Sequence, residues 1–290
     1  MQVHRTAVLG LTLAFAACSP EGSEPDAATP AGDEGTASAR SGLVILTHDR
    51  GETGVAVSGQ MIAWRAPSRS VALHALTLPE QAWLVDAPPR SGCRLVTAPH
   101  ETPAGSSFDL LSVGELNITA PVPGLPALHL APRDLPPVSF ALSGVVYDAD
   151  APEALPYQPG GLYHLDAAGD ELGGLSGAVH APEPVRLEDM ALDEQGLRVQ
   201  WSGGEAFVVL SRDAGPWTVG VICRGAEGEV SVPDAALDHL GQGEAQVLVA
   251  RVARTSLRVD GLNEAELVFV SRDSAEVRLR DGLAASGDGP

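Results

Sequence analysis

The feature that most constrains this chain is an alternation of apolar and polar residues in short runs. The apolar positions are residues 43–46; Val71, Leu73 and Ala75; Leu116 and Ile118; Leu197, Val199 and Trp201; Phe207 and Val209; Val219, Val221 and Cys223; Val247 and Val249; Leu257 and Val259; Leu267 and Phe269; Val277 and Leu279. Successive side chains of a strand point to opposite faces, so this alternation predicts strands with one buried face. Runs spaced by about ten residues, with 32 Gly and 23 Pro in the chain, favour a sandwich or barrel.

We therefore predict an all-β protein built as an antiparallel β-sandwich. Residues 176–282 carry enough strand signals for an immunoglobulin-like sandwich, with Trp201 in its core. Residues 43–175 are more irregular, and form either a second β unit or part of one continuous β structure. The best helix candidate is short: Asp234 to Leu240 follows a proline and places Ala236, Leu237 and Leu240 on one face. Residues 283–290 are predicted to be a loose tail.

The first 17 residues have the pattern of a signal peptide. One early Arg is followed by an apolar run that is shorter than the roughly 20 residues needed to span a bilayer. The run ends in Phe15-Ala16-Ala17-Cys18, which resembles the lipobox of bacterial lipoproteins, although Leu is usual in place of Phe15. The resemblance implies cleavage before Cys18 and lipidation of that residue. The alternative is ordinary signal cleavage after Ala17.

Two further features belong to this predicted membrane anchor. Residue 19 is Ser. In the lipoprotein sorting pattern that this resembles, Asp at this position favours retention in the inner membrane, so Ser19 implies the outer membrane without indicating which face. Residues 18–42 are rich in Pro, Gly, Ser, Ala and acids and lack large apolar side chains. Such a segment cannot bury enough surface to fold, so we predict a disordered tether with a reach of roughly 25–30 Å.

The formal net charge of −20 limits the partners. Nucleic acids and anionic lipid headgroups require a basic surface, so neither is expected to bind. The membrane contact predicted here is made by the lipid on Cys18, and the expected protein partners are unidentified envelope proteins.

Export also changes how the two remaining cysteines are interpreted. In an oxidising compartment, Cys93 and Cys223 are expected to form a disulfide. The alternative is two buried free thiols that pack as small apolar residues.

No contiguous catalytic motif is present. The sequence lacks the nucleophile elbow, the H-E-x-x-H zinc motif, the phosphate loop and the dinucleotide fingerprint. The densest group of oxygen ligands is Asp148, Asp150 and Glu153, which we name as a Ca²⁺ candidate, although the EF-hand Gly is missing and Pro152 intervenes. The dispersed histidines are interpreted as core or surface residues, and the dispersed tryptophans as packing residues. No cofactor is expected.

Part of the chain resembles uncharacterised lipoproteins of myxobacteria and related GC-rich bacteria. The shared pattern is a Trp strand ending at Trp201, a Cys strand ending at Cys223, and then Val232-Pro-Asp-Ala-Ala-Leu237. Residues 114–119, 160–163 and 179–182 also resemble earlier portions of that pattern. The resemblance implies export and a β fold, and it supplies no catalytic residue.

These observations favour a non-enzymatic cell-envelope lipoprotein: a structural or protein-interaction module tethered to the outer membrane. The alternative is a β module that binds a glycan, Ca²⁺ or a small molecule, for which an aromatic or carboxylate-lined pocket would be the sign. A hydrolase would require a catalytic cluster assembled only in three dimensions.

Overall fold

The computed structural model describes residues 39–65, 73–74, 79–86, 91–101, 106–135, 142–149, 155–193 and 195–279. All of them belong to one compact unit. The predicted all-β class is confirmed, because the elements with described bounds are eighteen strands and two short helices. The predicted signal peptide, Cys18 and the tail after residue 282 lie outside the described residues.

The strands are β1 (Ala39–Asp49), β2 (Ala56–Arg65), β3 (Gly92–Pro99), β4 (Ser107–Leu110), β5 (Leu116–Thr119), β6 (Leu128–Leu130), β7 (Arg133–Asp134), β8 (Leu142–Ala149), β9 (Leu162–Gly169), β10 (Gly173–His180), β11 (Leu187–Asp193), β12 (Gly196–Trp201), β13 (Ala206–Ala214), β14 (Trp217–Gly225), β15 (Glu229–Pro233), β16 (Gly243–Ser256), β17 (Arg258–Val259) and β18 (Glu264–Leu279). The helices are α1 (Pro79–Asp86) and α2 (Asp234–Leu240).

The largest element is a ten-stranded main sheet with the order β3-β14-β13-β16-β18-β1-β2-β4-β8-β7. Its centre joins the two ends of the folded chain, because β1 pairs in parallel with β18 from Ser41↔Glu264 to Asp49↔Arg272. Residues before and after position 175 therefore share one sheet, and that position lies inside β10.

Two smaller sheets cover one face of the main sheet, which we call the sandwich face. A five-stranded sheet (β17-β10-β9-β5-β6) encloses a core with Val44, Leu46 and Phe269 of the main sheet. A three-stranded sheet (β11-β12-β15) encloses a second core with Val208 and Val249. The predicted sandwich layering is thus present at two places on the same large sheet.

The opposite face of the main sheet, which we call the helix face, is covered by α1. Ile45, Val209 and Leu248 alternate with the residues of the sandwich face and pack against Trp83 and its neighbours in α1. Because both faces of the main sheet are covered, its central strands are apolar on both sides and their sequences are continuous apolar runs. The sequence run 206–210 in β13 is an example.

Helix α2 confirms the predicted short helix. Its buried residues are Ala236, Leu237 and Leu240, the same three that the sequence pattern places on one face. The helix ends at Gly241, whose φ of 71° would strain any residue with a side chain, and whose N–H donates to the Leu237 and Asp238 carbonyls.

Three expectations need correction. Of the predicted strand Val71, Leu73 and Ala75, only Leu73 is described, and its backbone is helical. The tether was expected to end at residue 42, yet β1 begins at Ala39, because Arg40 exchanges hydrogen bonds with Asn263. Leu267 with Phe269, and Val277 with Leu279, belong to the single strand β18, which continues through the polar residues between them.

Helix α1 was not predicted. Its residues Ala82 to Val85 are all buried, so they produce no helical stripe of apolar positions in the sequence. The Trp83 ring packs on Gly220 of β14, where an added Cβ would lie 2.4 Å from a ring carbon. The absence of a side chain at Gly220 is what allows the helix to approach the sheet.

Candidate functional site

Strand β3 forms one edge of the main sheet and is the most distinctive surface of the described protein. It pairs with β14 in antiparallel register, from Gly92↔Arg224 to Pro99↔Trp217. In the part of the chain that the structure describes, no strand pairs with its other side. A strand of eight residues therefore presents a free row of backbone donors and acceptors.

The predicted Cys93–Cys223 disulfide is present and joins β3 to β14. The two residues face each other in the register, and their Cα atoms are 4.0 Å apart. Such a short distance is typical of the non-hydrogen-bonded pairs of an antiparallel ladder. The N–H and C=O groups of Cys93 therefore point away from β14, and by alternation so do those of Leu95 and Thr97.

A polar contact holds the other end of β3. The His100 Nε2 atom lies 3.0 Å from Thr218 Oγ1, which donates to Asp213 Oδ1 at 3.1 Å. The His100 backbone N–H also donates to the Pro216 carbonyl at 2.9 Å. The covalent link at Cys93 and the polar link at His100 brace both ends of the edge strand, so its free backbone groups are held in an extended conformation.

Apolar side chains lie beside this free edge. Leu95 is 48% exposed and Trp217 is 47% exposed, which places both among the exposed large apolar residues of the described chain. Val219 lies between them on the same face, since Thr97 pairs with Val219 and Pro99 with Trp217. We call Leu95, Trp217 and Val219 the edge stripe.

The structure brings one serine next to a histidine, inside the protein. His48 of β1 and Ser271 of β18 are register neighbours, and the Tyr157 ring stacks on His48 with centroids 3.6 Å apart. Burial lowers the pKa of His48, while the Glu52 carbonyl and the charges of Asp49 and Glu52 act in the opposite direction. With exposures of 6% for His48 and 1% for Ser271, the pair is part of the packed interior.

The other residues singled out from the sequence do not gather into a site. Asp148 is exposed and forms an ion pair with Arg133 at 2.6 Å, while Asp150 and Glu153 lie outside the described residues. Within the described ranges, no three His, Cys, Asp or Glu side chains are grouped to hold a metal ion.

The four tryptophans occupy separate places. Trp201 is buried and its Nε1–H donates to the Gly204 carbonyl at 2.8 Å, as expected of a core residue. Trp83 of α1 is buried against the main sheet, and Trp64 packs partly buried beside Phe108. Trp217 alone is strongly exposed, in the edge stripe.

Sequence reasoning found the disulfide but missed the strand that it braces. The signal was weak because Ala98 is the one fully buried residue of β3, so the strand has no clear alternation of buried and exposed positions, and its place at an edge depends on all the other pairings. No protein family, curated protein or solved structure matches this chain. Among the described residues no helix has the length and apolarity to span a bilayer.

Proposed function

We propose that this chain is a non-enzymatic cell-envelope lipoprotein that acts as a protein-interaction module, held at the outer membrane by a lipid on Cys18. The observation that carries the proposal is the free, braced edge strand β3 with the edge stripe beside it. Long apolar edges without protection are rare in monomeric proteins, because they promote pairing with other chains.

The mode of binding that fits this surface is addition of a strand from a partner. An extended segment pairs with the outward N–H and C=O groups of Leu95 and Thr97, and backbone hydrogen bonds supply the affinity. Side chains of the incoming strand that point to the sandwich face contact Leu95 and Trp217, and these contacts supply the specificity. A strand already fixed at both ends loses little conformational entropy on binding.

Charge argues for a basic partner and against a second copy of this chain. Two copies would each carry a net charge of −20, and like charge opposes their association. A partner with a basic docking segment is attracted by the same charge, which raises the rate of encounter.

The test is site-specific photocrosslinking in whole cells, with the crosslinking residue placed at Arg94 on the edge strand. Capture is compared between the otherwise wild-type protein, Thr97→Pro and Thr97→Ala. Proline removes one outward N–H without removing a hydrogen bond to β14, so we expect capture to be lost in Thr97→Pro and kept in Thr97→Ala.

The crosslinked segment should be extended and basic, and Cys18→Ser should reduce capture by releasing the protein from the membrane. Equal capture by Thr97→Pro and Thr97→Ala would refute strand addition. A crosslink to the same chain, with a doubled mass in light scattering, would replace the basic partner with a second copy.

A further inference from the structure

The ring of His48 is a buried titratable group that the function proposed above does not use. It is 6% exposed and lies on the same face of β1 as Val44 and Leu46. Its Nε2 atom is 3.1 Å from the Glu52 carbonyl oxygen, and since a carbonyl only accepts, Nε2 carries the proton of the neutral ring. The buried Nδ1 atom has no hydrogen-bond partner among the described residues. The fold therefore holds one neutral tautomer of this ring.

Residues 50–55 and 155–157, which we call the latch, close over this ring. Two backbone hydrogen bonds, of 2.9 and 3.1 Å, join the two segments to each other. The first segment contacts the ring through the Glu52 carbonyl. The second contacts it through Tyr157, whose ring stacks on His48 with centroids 3.6 Å apart and planes 9° apart. Both segments of the latch thus meet at the His48 side chain.

The carboxylates nearest to His48 are turned to other tasks or to solvent. Asp49, the next residue along the chain, accepts two hydrogen bonds from the Arg272 guanidinium. Glu52 is an exposed residue, and its contact with the ring is made by its backbone carbonyl. A positive charge on the stacked ring would therefore feel both carboxylates from a distance, without a direct ion pair to compensate its burial.

The remaining groups around the latch do not supply that compensation. Burial raises the pKa of Tyr157 above its usual 10, while the Ser271 hydroxyl acts in the opposite direction, so Tyr157 is neutral wherever His48 titrates. Glu183, which follows β10, and Arg251 of β16 also act on Tyr157, with opposite signs.

A second proton on His48 has to bind at Nδ1, and the closed latch does not accommodate the cation that results. The new N–H group would point into the interior without an acceptor, and an unpaired charge is most costly where water is excluded. The attraction of a cation to the Tyr157 ring is smaller than this cost. Outside the latch the imidazolium is hydrated and still attracted by the carboxylates of Asp49 and Glu52.

We propose that His48 makes the latch a pH-sensitive switch, which is closed over the neutral ring and opens when Nδ1 takes up a proton from water. Opening moves the ring out from under Tyr157 and uncovers the core at Phe269, on which Tyr157 packs with centroids 6.0 Å apart. The switch does not depend on the function proposed above, because four strands of the main sheet separate β1 from β3.

The direction of the pH dependence follows from burial, which lowers the pKa of His48 in the closed latch below its usual 6.5. The open ring binds its proton more tightly than the closed ring does. Closure is therefore complete above pH 6.5 and is lost as the pH falls toward the pKa of the closed state. Between these two values the equilibrium shifts toward opening by up to about tenfold per pH unit.

The experiment is amide hydrogen exchange of the full-length protein in detergent from about pH 7.5 to pH 5, corrected for the intrinsic pH dependence of exchange. The reporters are the amides of Val55 and Tyr157, which donate across the latch to the Leu155 and Thr53 carbonyls. Their protection should fall by up to about tenfold per pH unit below pH 6.5, whereas amides of β13 and β16 should keep theirs.

His48→Gln is the variant that isolates the titration. Its side-chain amide can still donate to the Glu52 carbonyl but takes up no proton in this range, so protection of the latch should no longer depend on pH. His129→Gln is the matched control, since His129 is an exposed histidine of β6 that pairs with Glu115. This variant should keep the wild-type response.

NMR of the histidine rings in the wild-type protein gives a second measurement that requires no variant. In the closed latch the His48 signals carry the ring-current shift of the stacked Tyr157, and we expect this shift to disappear with the same midpoint as the protection. Protonation of His48 with the shift retained, protection of the latch that is constant with pH, an unchanged response in His48→Gln, or equal loss in β13 and β16 would each overturn the switch.

Discussion

The two edges of the main sheet are opposite in character. The β7 edge consists of two exposed charged residues, Arg133 and Asp134, and Arg133 is also paired with Asp148 of β8. The β3 edge has eight residues, an exposed Leu95 and a disulfide. Short charged edges prevent pairing with other chains, so the contrast indicates that one edge is protected and the other is left available.

The edges also differ in how they are held. At the β7 edge the backbone is tightly packed: Gly144 of β8 has a φ of 113°, and a Cβ there would lie 1.9 Å from the Leu110 carbonyl oxygen. At the β3 edge the chain is joined by a covalent bond and a polar contact. The first arrangement depends on the absence of a side chain at Gly144, and the second on the Cys93–Cys223 disulfide and the His100–Thr218 contact, so mutations should separate them.

The largest effect is expected when the disulfide is removed from the β3 edge. Cys93→Ala/Cys223→Ala should lower the free energy of unfolding by about 4–5 kcal/mol, since the closed loop spans 130 residues. Urea unfolding measures this loss, and wild-type protein unfolded under reducing conditions should match the variant. A loss below about 1 kcal/mol would mean that the disulfide is not a main support of this edge.

The next effect concerns the β7 edge. Gly144→Ala should lower the free energy of unfolding by about 2–4 kcal/mol, because it combines an unfavourable φ with a backbone clash. Gly51→Ala is the matched control: its φ is 91° but nothing lies within 4 Å of an added Cβ, so we expect about 1 kcal/mol from backbone strain alone. Equal losses in the two variants would show that close packing does not hold this edge.

A smaller effect on stability, with a large effect on binding, is expected when a charge is introduced into the open edge. Leu95→Lys should change the free energy of unfolding by no more than about 0.5 kcal/mol, because Leu95 is half exposed. Partner capture at β3 should be abolished. The reciprocal change Arg133→Leu should create no partner capture at β7, since that strand is too short to pair with a partner. If Leu95→Lys captures the partner as well as the wild-type protein does, the edge stripe has no part in binding.

The smallest effect is a pH dependence that originates at the centre of the sheet, away from both edges. Burial lowers the pKa of His48 below its usual 6.5, so the unfolded state binds more protons below that pH. This contribution to stability is complete above pH 6.5 and is lost as the pH falls toward the folded-state pKa. His48→Gln should therefore show a smaller loss of stability between pH 7 and 5; an identical pH profile would contradict the assignment.

Several parts of the fold were readable from local sequence. The alternation at Leu197, Val199 and Trp201 specifies a strand and its buried face, because a side chain's direction in a strand depends only on its position in the alternation. Helix α2 was readable since a proline, a three-residue apolar face and a glycine lie within one short segment. The Cys93–Cys223 pairing followed from two cysteines and an inferred oxidising compartment.

The neighbours of each strand were decided by the tertiary structure. Alternation places Leu95 on a face but does not tell which strand lies beside it, and β1 meets β18 across 223 positions, as from Ser41 to Glu264. Which strand remains at an edge depends on how the two faces of one sheet are covered by different layers. A local pattern fixes the direction of a side chain, whereas its surroundings result from the packing of the whole chain.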